Sequence, residues 1–407
     1  MIYLMRMELI MKINIKENIY GIDSEELFSI GYRNNNSKRN FLFISKVLGK
    51  HIEVRPDVCK VMGLLLASTI FGITNETSTF INYIKGQRGE DEKVKEAMKL
   101  PYKTNEKVVV LGFAETATAL GMAVASAIEN SYYVTTTREN IQGIKSFLTF
   151  EEEHSHSTTH RCFPEDPYKL KEADRIILVD DEITTGKSML NIIKGLKRTT
   201  GVNKYEILTI LDWRSLKYKK LYKDFAKKNN IEIEVKALVS GEIKGEDNKI
   251  YCDEEEKIID ERTDINKINV LTRRREYLKF TGRFGISYWD ILLLENECIK
   301  AANMIQETLG TYERLLVLGH GENIYIPSRI ASYLKGDVYF KSTTRSPIYC
   351  SDEKDYLIRE KSIFYHNEVK YYFYNRTSIE ENYDKVILIT EDDLDIKLTN
   401  QLLIFRP

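Results

Sequence analysis

The stretch that most constrains this chain is Arg175 to Leu190, RIILVDDEITTGKSML. Ile176, Ile177, Leu178 and Val179 form an apolar run without alternation, which marks a strand buried on both faces. Two acids follow, Asp180 and Asp181, then Thr184, Thr185, Gly186, Lys187 and Ser188, then an apolar pattern at helical spacing. A helix that opens at Thr-Thr-Gly-Lys-Ser aims several unpaired backbone N–H groups, and the positive end of its dipole, at one point. That point suits a phosphate dianion. Gly186 permits close approach, and the hydroxyls add donors. The two acids fall at the carboxyl end of the strand, where open α/β sheets bind ligands. They suit sugar hydroxyls or a hydrated magnesium ion. A P-loop fits less well, because it needs an earlier glycine where this chain has Asp181.

A ligand with a phosphate at one end, ribose hydroxyls in the middle and a magnesium-bound pyrophosphate beyond is phosphoribosyl pyrophosphate. The stretch resembles the signature of type I phosphoribosyltransferases: four hydrophobics, two acids, a short spacer and Thr-x-Gly-x-Ser/Thr. Every signature position is filled. The plain alternative is a buried strand followed by a well-capped helix.

The rest of the chain narrows the class. Its 407 residues predict two or three domains, each with its own core. A net charge of -1 gives no overall basic field for nucleic acid. The five cysteines are scattered, with no pair at metal-site spacing, which fits a reduced, cytoplasmic protein. The apolar run from Val61 to Ile73 is too short to span a bilayer and contains Gly, Ser and Thr, so no membrane partner is expected.

Asn40 to Val54 predicts a strand, a turn at Gly49 and a second strand, and Pro56 to Phe71 predicts a helix. Val108 to Gly112 and Ser131 to Thr137 predict further strands, joined through an Ala-rich helix. Phe147 to Pro167 reads as a mobile loop or hairpin carrying His154, His156, His160 and Arg161. Glu206 to Leu211 predicts a strand, Lys217 to Lys228 a basic helix, Ile231 to Val239 a strand, and 241–267 a charged linker or surface excursion. Alternating strands and helices predict an α/β fold with a doubly wound, mostly parallel sheet.

The second half repeats the first. RLLVLGHGE from Arg314 matches KVVVLGFAE from Lys107; YFKSTTR from Tyr339 matches YYVTTTR from Tyr132; DKVILITED from Asp384 matches DRIILVDDE from Asp174. Three matches in one order predict an internal duplication, a second, degenerate α/β domain of similar topology. Leu394, Asp395 and Ile396 replace Thr184-Thr185-Gly186, so the copy lacks the phosphate cradle. The boundaries read as a phosphoribosyltransferase domain at 1–215 with an N-terminal hood, a linker at 216–269 and the second domain at 270–407.

The residues Thr344-Arg345-Ser346-Pro347 resemble the signature of the TRSP domain, which follows a phosphoribosyltransferase domain in proteins of bacterial tellurium-resistance and stress-response gene clusters. The first half is similar to that family too, through FLFISKVLGKH from Phe41 and LGFAETATALG from Leu111. The resemblance implies an orotate phosphoribosyltransferase-like enzyme, with Mg2+, that makes a nucleotide-like metabolite from an unnamed nitrogenous base. It also implies partners from the same gene cluster and, by analogy with type I relatives, a homodimer.

The expected site follows. Thr184, Thr185, Gly186, Lys187 and Ser188 hold the 5′-phosphate; Asp180 and Asp181 hold the ribose hydroxyls and the metal. The turn Gly112, Phe113, Ala114, Glu115 and Thr116 cradles pyrophosphate through backbone N–H groups. Arg138 pairs with the same group. Its plain alternative is a surface salt bridge. Thr184 stands where purine-type relatives place an acid, so catalytic help is sought from His154, His156, His160 and Arg161. That loop reads equally as plain and solvated, or with Cys162 as a metal site. Lys46 and Lys50 reach an acceptor, or simply guard a sheet edge. In the second domain His320, Glu322, Thr343, Thr344, Arg345 and Ser346 are candidates for an anion or nucleotide pocket. A non-catalytic sensor of phosphoribosyl pyrophosphate is the rival to the enzyme.

Overall fold

The structure, a computed structural model, describes residues 12–33, 40–86, 91–151, 159–244, 251, 257–262, 268–269 and 274–406. His154, His156, the Asn34–Asn36 loop and Arg273 lie outside them.

The first half runs β1 (Lys12–Asn18), α1 (Ser24–Leu27), β2 (Phe28–Tyr32), β3 (Phe41–Ser45), α2 (Val58–Phe71), α3 (Asn75–Ile84), α4 (Asp91–Ala97), β4 (Val108–Gly112), α5 (Ala117–Ser126) and β5 (Tyr132–Thr137). Then come β6 (Leu148–Glu151), β7 (Thr159–Cys162), α6 (Pro167–Lys171), β8 (Arg175–Ile183), α7 (Lys187–Thr200), β9 (Lys204–Asp212), α8 (Leu216–Asn229) and β10 (Glu232–Lys244). The main sheet has the order β1-β10-β9-β8-β4-β5-β7-β6, parallel from β10 to β5. Burial on both faces explains the unbroken apolar runs of β4 and β8. The hairpin β2–β3 stands apart as a hood.

Two sequence expectations change here, and a third narrows from loop or hairpin to hairpin. The stretch after Gly49 is not a second strand; only Val54 bridges, to Phe340 of the other half. The linker expected from residue 216 opens instead with α8 and β10, which continue the first sheet. The segment from Phe147 is anchored by the hairpin β6–β7, whose β7 pairs with β5.

The second half runs β11 (Lys257–Ile258), β12 (Ile268–Asn269), α9 (Arg274–Phe280), β13 (Ile286–Ser287), α10 (Tyr288–Leu309), β14 (Arg314–Gly319), α11 (Tyr325–Tyr333) and β15 (Asp337–Ser342). It ends with β16 (Lys361–His366), β17 (Val369–Tyr374), α12 (Arg376–Asn382), β18 (Lys385–Ile389) and β19 (Leu402–Arg406). Its sheet has the order β12-β19-β18-β14-β15, all parallel. Four of these strands, β19-β18-β14-β15, match β9-β8-β4-β5 in place and in chain order, while β12, which precedes β14 in the chain, fills the place that β10 takes after β9. The register matches as well: Gly112 lies beside Thr135 as Gly319 lies beside Ser342, and Val110 beside Ile177 as Val317 beside Ile387. These are the residues that the three sequence matches align.

Helices α2, α5, α10 and α11 form a shared layer between the two sheets. The approach is close: a Cβ on Gly63 would stand 2.4 Å from that of Ala123. One core accordingly runs from the first sheet through these helices to Leu315, Val317 and Phe340 of the second. The alternate residues Leu316 and Leu318 face the opposite side, under the β16–β17 hairpin. The hood shares a third cluster with the second half, through Leu42, Ile44, Ile348 and Tyr374.

Candidate active site

β8 carries Asp180 and Asp181 to the carboxyl edge of the first sheet, where both are half-buried. The Asp181 N–H donates to Asp180 Oδ1 at 3.0 Å. The chain then turns, and α7 starts at Gly186, whose φ of +69° no β-carbon-bearing residue adopts cheaply. A Cβ there would also lie 2.2 Å from the Tyr222 hydroxyl. That hydroxyl donates to the Gly186 carbonyl at 2.6 Å. Tyr222 comes from α8 and sits under the Arg214 guanidinium, which grips Asp212 through two bonds of 2.9 Å. This buried Asp212–Arg214–Tyr222 chain holds the turn at Gly186 from below. Nothing in the local sequence around Tyr222 signals the role.

Because β4 neighbours β8, the turn 112–116 stands directly beside the two aspartates; the Phe113 N–H donates to the Val179 carbonyl at 3.2 Å. The Ala114 N–H donates to Thr136 Oγ1 at 2.9 Å. Lys50 of the segment after the hood donates to Thr116 Oγ1 at 2.6 Å, so it braces this turn. Lys46 lines a separate open cleft of about 1160 Å³ with Ser24, Phe28, Lys354 and Glu360. That cleft is not lined by Asp180, Asp181 or residues 184–188. Over Asp181 and Glu182 the hood instead presents Phe28, Phe43 and Ser45. Trp213 stacks on Phe43 with ring centroids 5.3 Å apart.

Arg138 follows β5, and its guanidinium lies 3.7 Å from the Glu115 carboxylate. Arg161 is on β7, opposite Thr137. His160, expected on a mobile loop, is fully buried: it stacks on Phe150 and its Nδ1 meets Thr136 Oγ1 at 3.2 Å. The alternation of β7 turns it inward. The structure therefore removes His160 from a closing loop.

The second domain enters this site. Glu322 accepts from Thr137 Oγ1 at 2.7 Å and from the Arg138 N–H at 2.9 Å. Its counterpart Glu115 accepts from Thr344 Oγ1 at 3.4 Å and from the Arg345 N–H at 3.3 Å. Each half thus caps the other's Thr-Thr-Arg turn with the glutamate three residues past its strand glycine. Glu322 and Thr344 are consequently spent on this exchange rather than on a pocket with His320. Ser346 donates its N–H to Thr344 Oγ1 at 3.1 Å, and Arg345 Nη2 donates to the Tyr371 hydroxyl at 2.7 Å. The aligned sequences LGFAE and LGHGE contained the signal for this exchange. Behind the joint, burial holds the Glu139 carboxyl above its ordinary range; Arg283 opposes the rise, and Glu322, Glu391 and Asp392 add to it.

The carboxylates fit magnesium: both are hard oxygen ligands, half-buried at the sheet edge beside an anion turn.

Residues 27–242 match the family described as phosphoribosyl transferase, and residues 280–405 match the TRSP domain, C terminus to that transferase. No curated protein matches the chain. Solved structures similar to it include three adenine phosphoribosyltransferases. That of Trypanosoma brucei, in complex with AMP, pyrophosphate and ribose-5-phosphate, is 15% identical, with 52% of this chain and 76% of that chain covered and a TM-score of 0.32. That of Rhodothermus marinus is 13% identical, covering 53% and 95%, at 0.29. That of Leishmania donovani is 14% identical, covering 53% and 77%, at 0.30.

Proposed function

The chain belongs to the phosphoribosyl transferase family, and from that premise we propose which atoms of it carry the reaction. The reaction is displacement of pyrophosphate from the anomeric carbon of phosphoribosyl pyrophosphate by a ring nitrogen of a base-like acceptor. One observation supports it above the rest: Asp180-Asp181, the Thr184–Ser188 turn and the Gly112–Thr116 turn converge on one edge of one sheet.

The backbone N–H groups at the start of α7, with the hydroxyls of Thr184, Thr185 and Ser188, hold the 5′-phosphate. Asp180 and Asp181 accept from the ribose hydroxyls. Their charge lies where the ribose carbon turns oxocarbenium-like, which lowers the barrier electrostatically. Magnesium, when bound, neutralises the leaving pyrophosphate, and the same two carboxylates would hold it. Arg138 reaches that leaving group by exchanging its contact with Glu115 for the stronger phosphate fork. Phe28 and Phe43, packed on Trp213, exclude water beside Asp181. Arg161, on β7 opposite Thr137, is assigned to the pyrophosphate, and His154 and His156, outside the described residues, to proton transfer.

In the cell we place the protein in the cytoplasm, as a homodimer by analogy with type I relatives. We place its product among the nucleotide-like metabolites of a tellurium-resistance or stress-response cluster. The test is pyrophosphate release from phosphoribosyl pyrophosphate and Mg2+ with a panel of nitrogenous acceptors. Acceptor-dependent release supports the assignment. Saturable binding of the donor with no release under any acceptor identifies a sensor instead.

A further inference from the structure

The second sheet has a carboxyl edge of its own, and its occupants differ from those of the first. His320 follows β14, His366 ends β16, and Asp392 follows β18. One potential ligand atom from each lies within 4.8 Å of the others. His366 Nε2 is 3.8 Å from Asp392 Oδ2 and 3.2 Å from Asn367 Nδ2.

His320 carries the argument. Its ring is 5% exposed, and its Nε2 is buried without a hydrogen-bond partner among the described residues. A buried, unsatisfied ring nitrogen is unfavourable unless something binds it. Its Nδ1 meets Thr343 Oγ1 at 2.7 Å, and the Gly321 N–H donates to the same oxygen at 3.3 Å. When Nδ1–H donates to Thr343, the lone pair sits on Nε2. Metal-binding histidines are commonly oriented this way, by a partner on the other nitrogen. Burial, with His366 and Arg345 beside it, pushes the imidazole down to about 3, so the ring is neutral and available as a ligand.

We propose that His320, His366 and Asp392 bind a first-row divalent metal ion of the zinc class in the second domain. Two nitrogens and one carboxylate match the three-ligand sites that leave a fourth position open. Ligands at about 2.0–2.1 Å on a tetrahedral ion stand roughly 3.3 Å apart, so closure from the present spacing takes side-chain movement of up to about 1.5 Å. His366, half-buried at the end of a hairpin, supplies that movement. A cleft of about 370 Å³, lined by His366, Asn367, Asp392 and Arg262, gives solvent access. The proposal does not depend on the phosphoribosyl chemistry of the first domain.

Cobalt titration of the full chain tests it. One equivalent of Co2+ should produce visible ligand-field bands, displaced by Zn2+, and Zn2+ should raise the thermal midpoint. His366→Gln and Asp392→Asn should each weaken binding by at least about 10-fold, as should His320→Gln if it folds. His51→Gln should leave the bands unchanged. Absence of the bands in the wild-type chain overturns the proposal. So do bands that survive in His366→Gln/Asp392→Asn, or bands that vanish in His154→Gln/His156→Gln while surviving in His366→Gln.

Discussion

The two sheets share strand order and register yet differ at their ligand edges. In the first, β8 leads through Asp180, Asp181 and Gly186 into a 14-residue helix, α7, before β9. In the second, β18 leads to β19 with no helix between them. Leu394, Ile396 and Leu398 fold back and are buried in the core. The proposed phosphate turn therefore has no counterpart there because the helix that would carry it is absent, not because one residue differs. The strands keep their residue types because each is sandwiched between layers, while the connection that lacks the helix fills the same core with Leu394, Ile396 and Leu398 instead. A shared fold does not carry a shared site.

The sharpest way to break the comparison is at the acids. Asp180→Asn/Asp181→Asn should lower turnover by about 10³-fold or more with the thermal midpoint little changed. Full activity in that variant would detach the chemistry from the first edge.

Next is the layer that joins the halves. Arg329 of α11 binds Asp57 before α2 and Glu295 of α10, and Lys60 of α2 also binds Glu295, at 2.8 Å. All of this is buried, and the neighbouring cations hold the Glu295 carboxyl well below its usual range. Arg329→Met should cost about 3–5 kcal/mol in urea unfolding, because it strands the buried Asp57 carboxylate and leaves Glu295 with Lys60 as its one cation among the described residues. A loss under 1 kcal/mol would show that the halves do not rely on it.

Gly186→Ala should raise KM for the donor about 10-fold, since the left-handed turn and the Tyr222 contact both resist a side chain. An unchanged KM would remove the turn from phosphate binding.

The smallest effect is pH-dependent. His51 and His320 are buried and held below their ordinary pKa, chiefly by burial. The unfolded chain takes up protons near pH 6.5 while the folded one resists. Stability should therefore be full above about pH 6.5 and fall as the pH drops toward 3. Thermal melts of His51→Gln across that range should show a shallower decline than wild type.

Much of this was legible beforehand. Unalternated runs located β4, β8, β14 and β18, and the polar Thr-Thr-Arg matches revealed the duplication. What the sequence hid was pairing across the halves. Lys50, His51, Glu53 and Arg55 look like an ordinary edge segment. In space Glu53 binds Lys341 at 2.8 Å and Arg55 binds Asp337 at 2.8 Å, so the segment is a seam between the domains. Periodicity reports which face is buried, not what covers it. For the same reason His160 passed for a loop residue.

The mutual capping by Glu115 and Glu322 has an evolutionary corollary. In a symmetric pair of identical subunits, any change at a contact appears on both sides of the axis at once. Here the two-fold partners are encoded separately and joined by one backbone. Either side can mutate alone while the other continues to be held, and the tether keeps them together at any dilution.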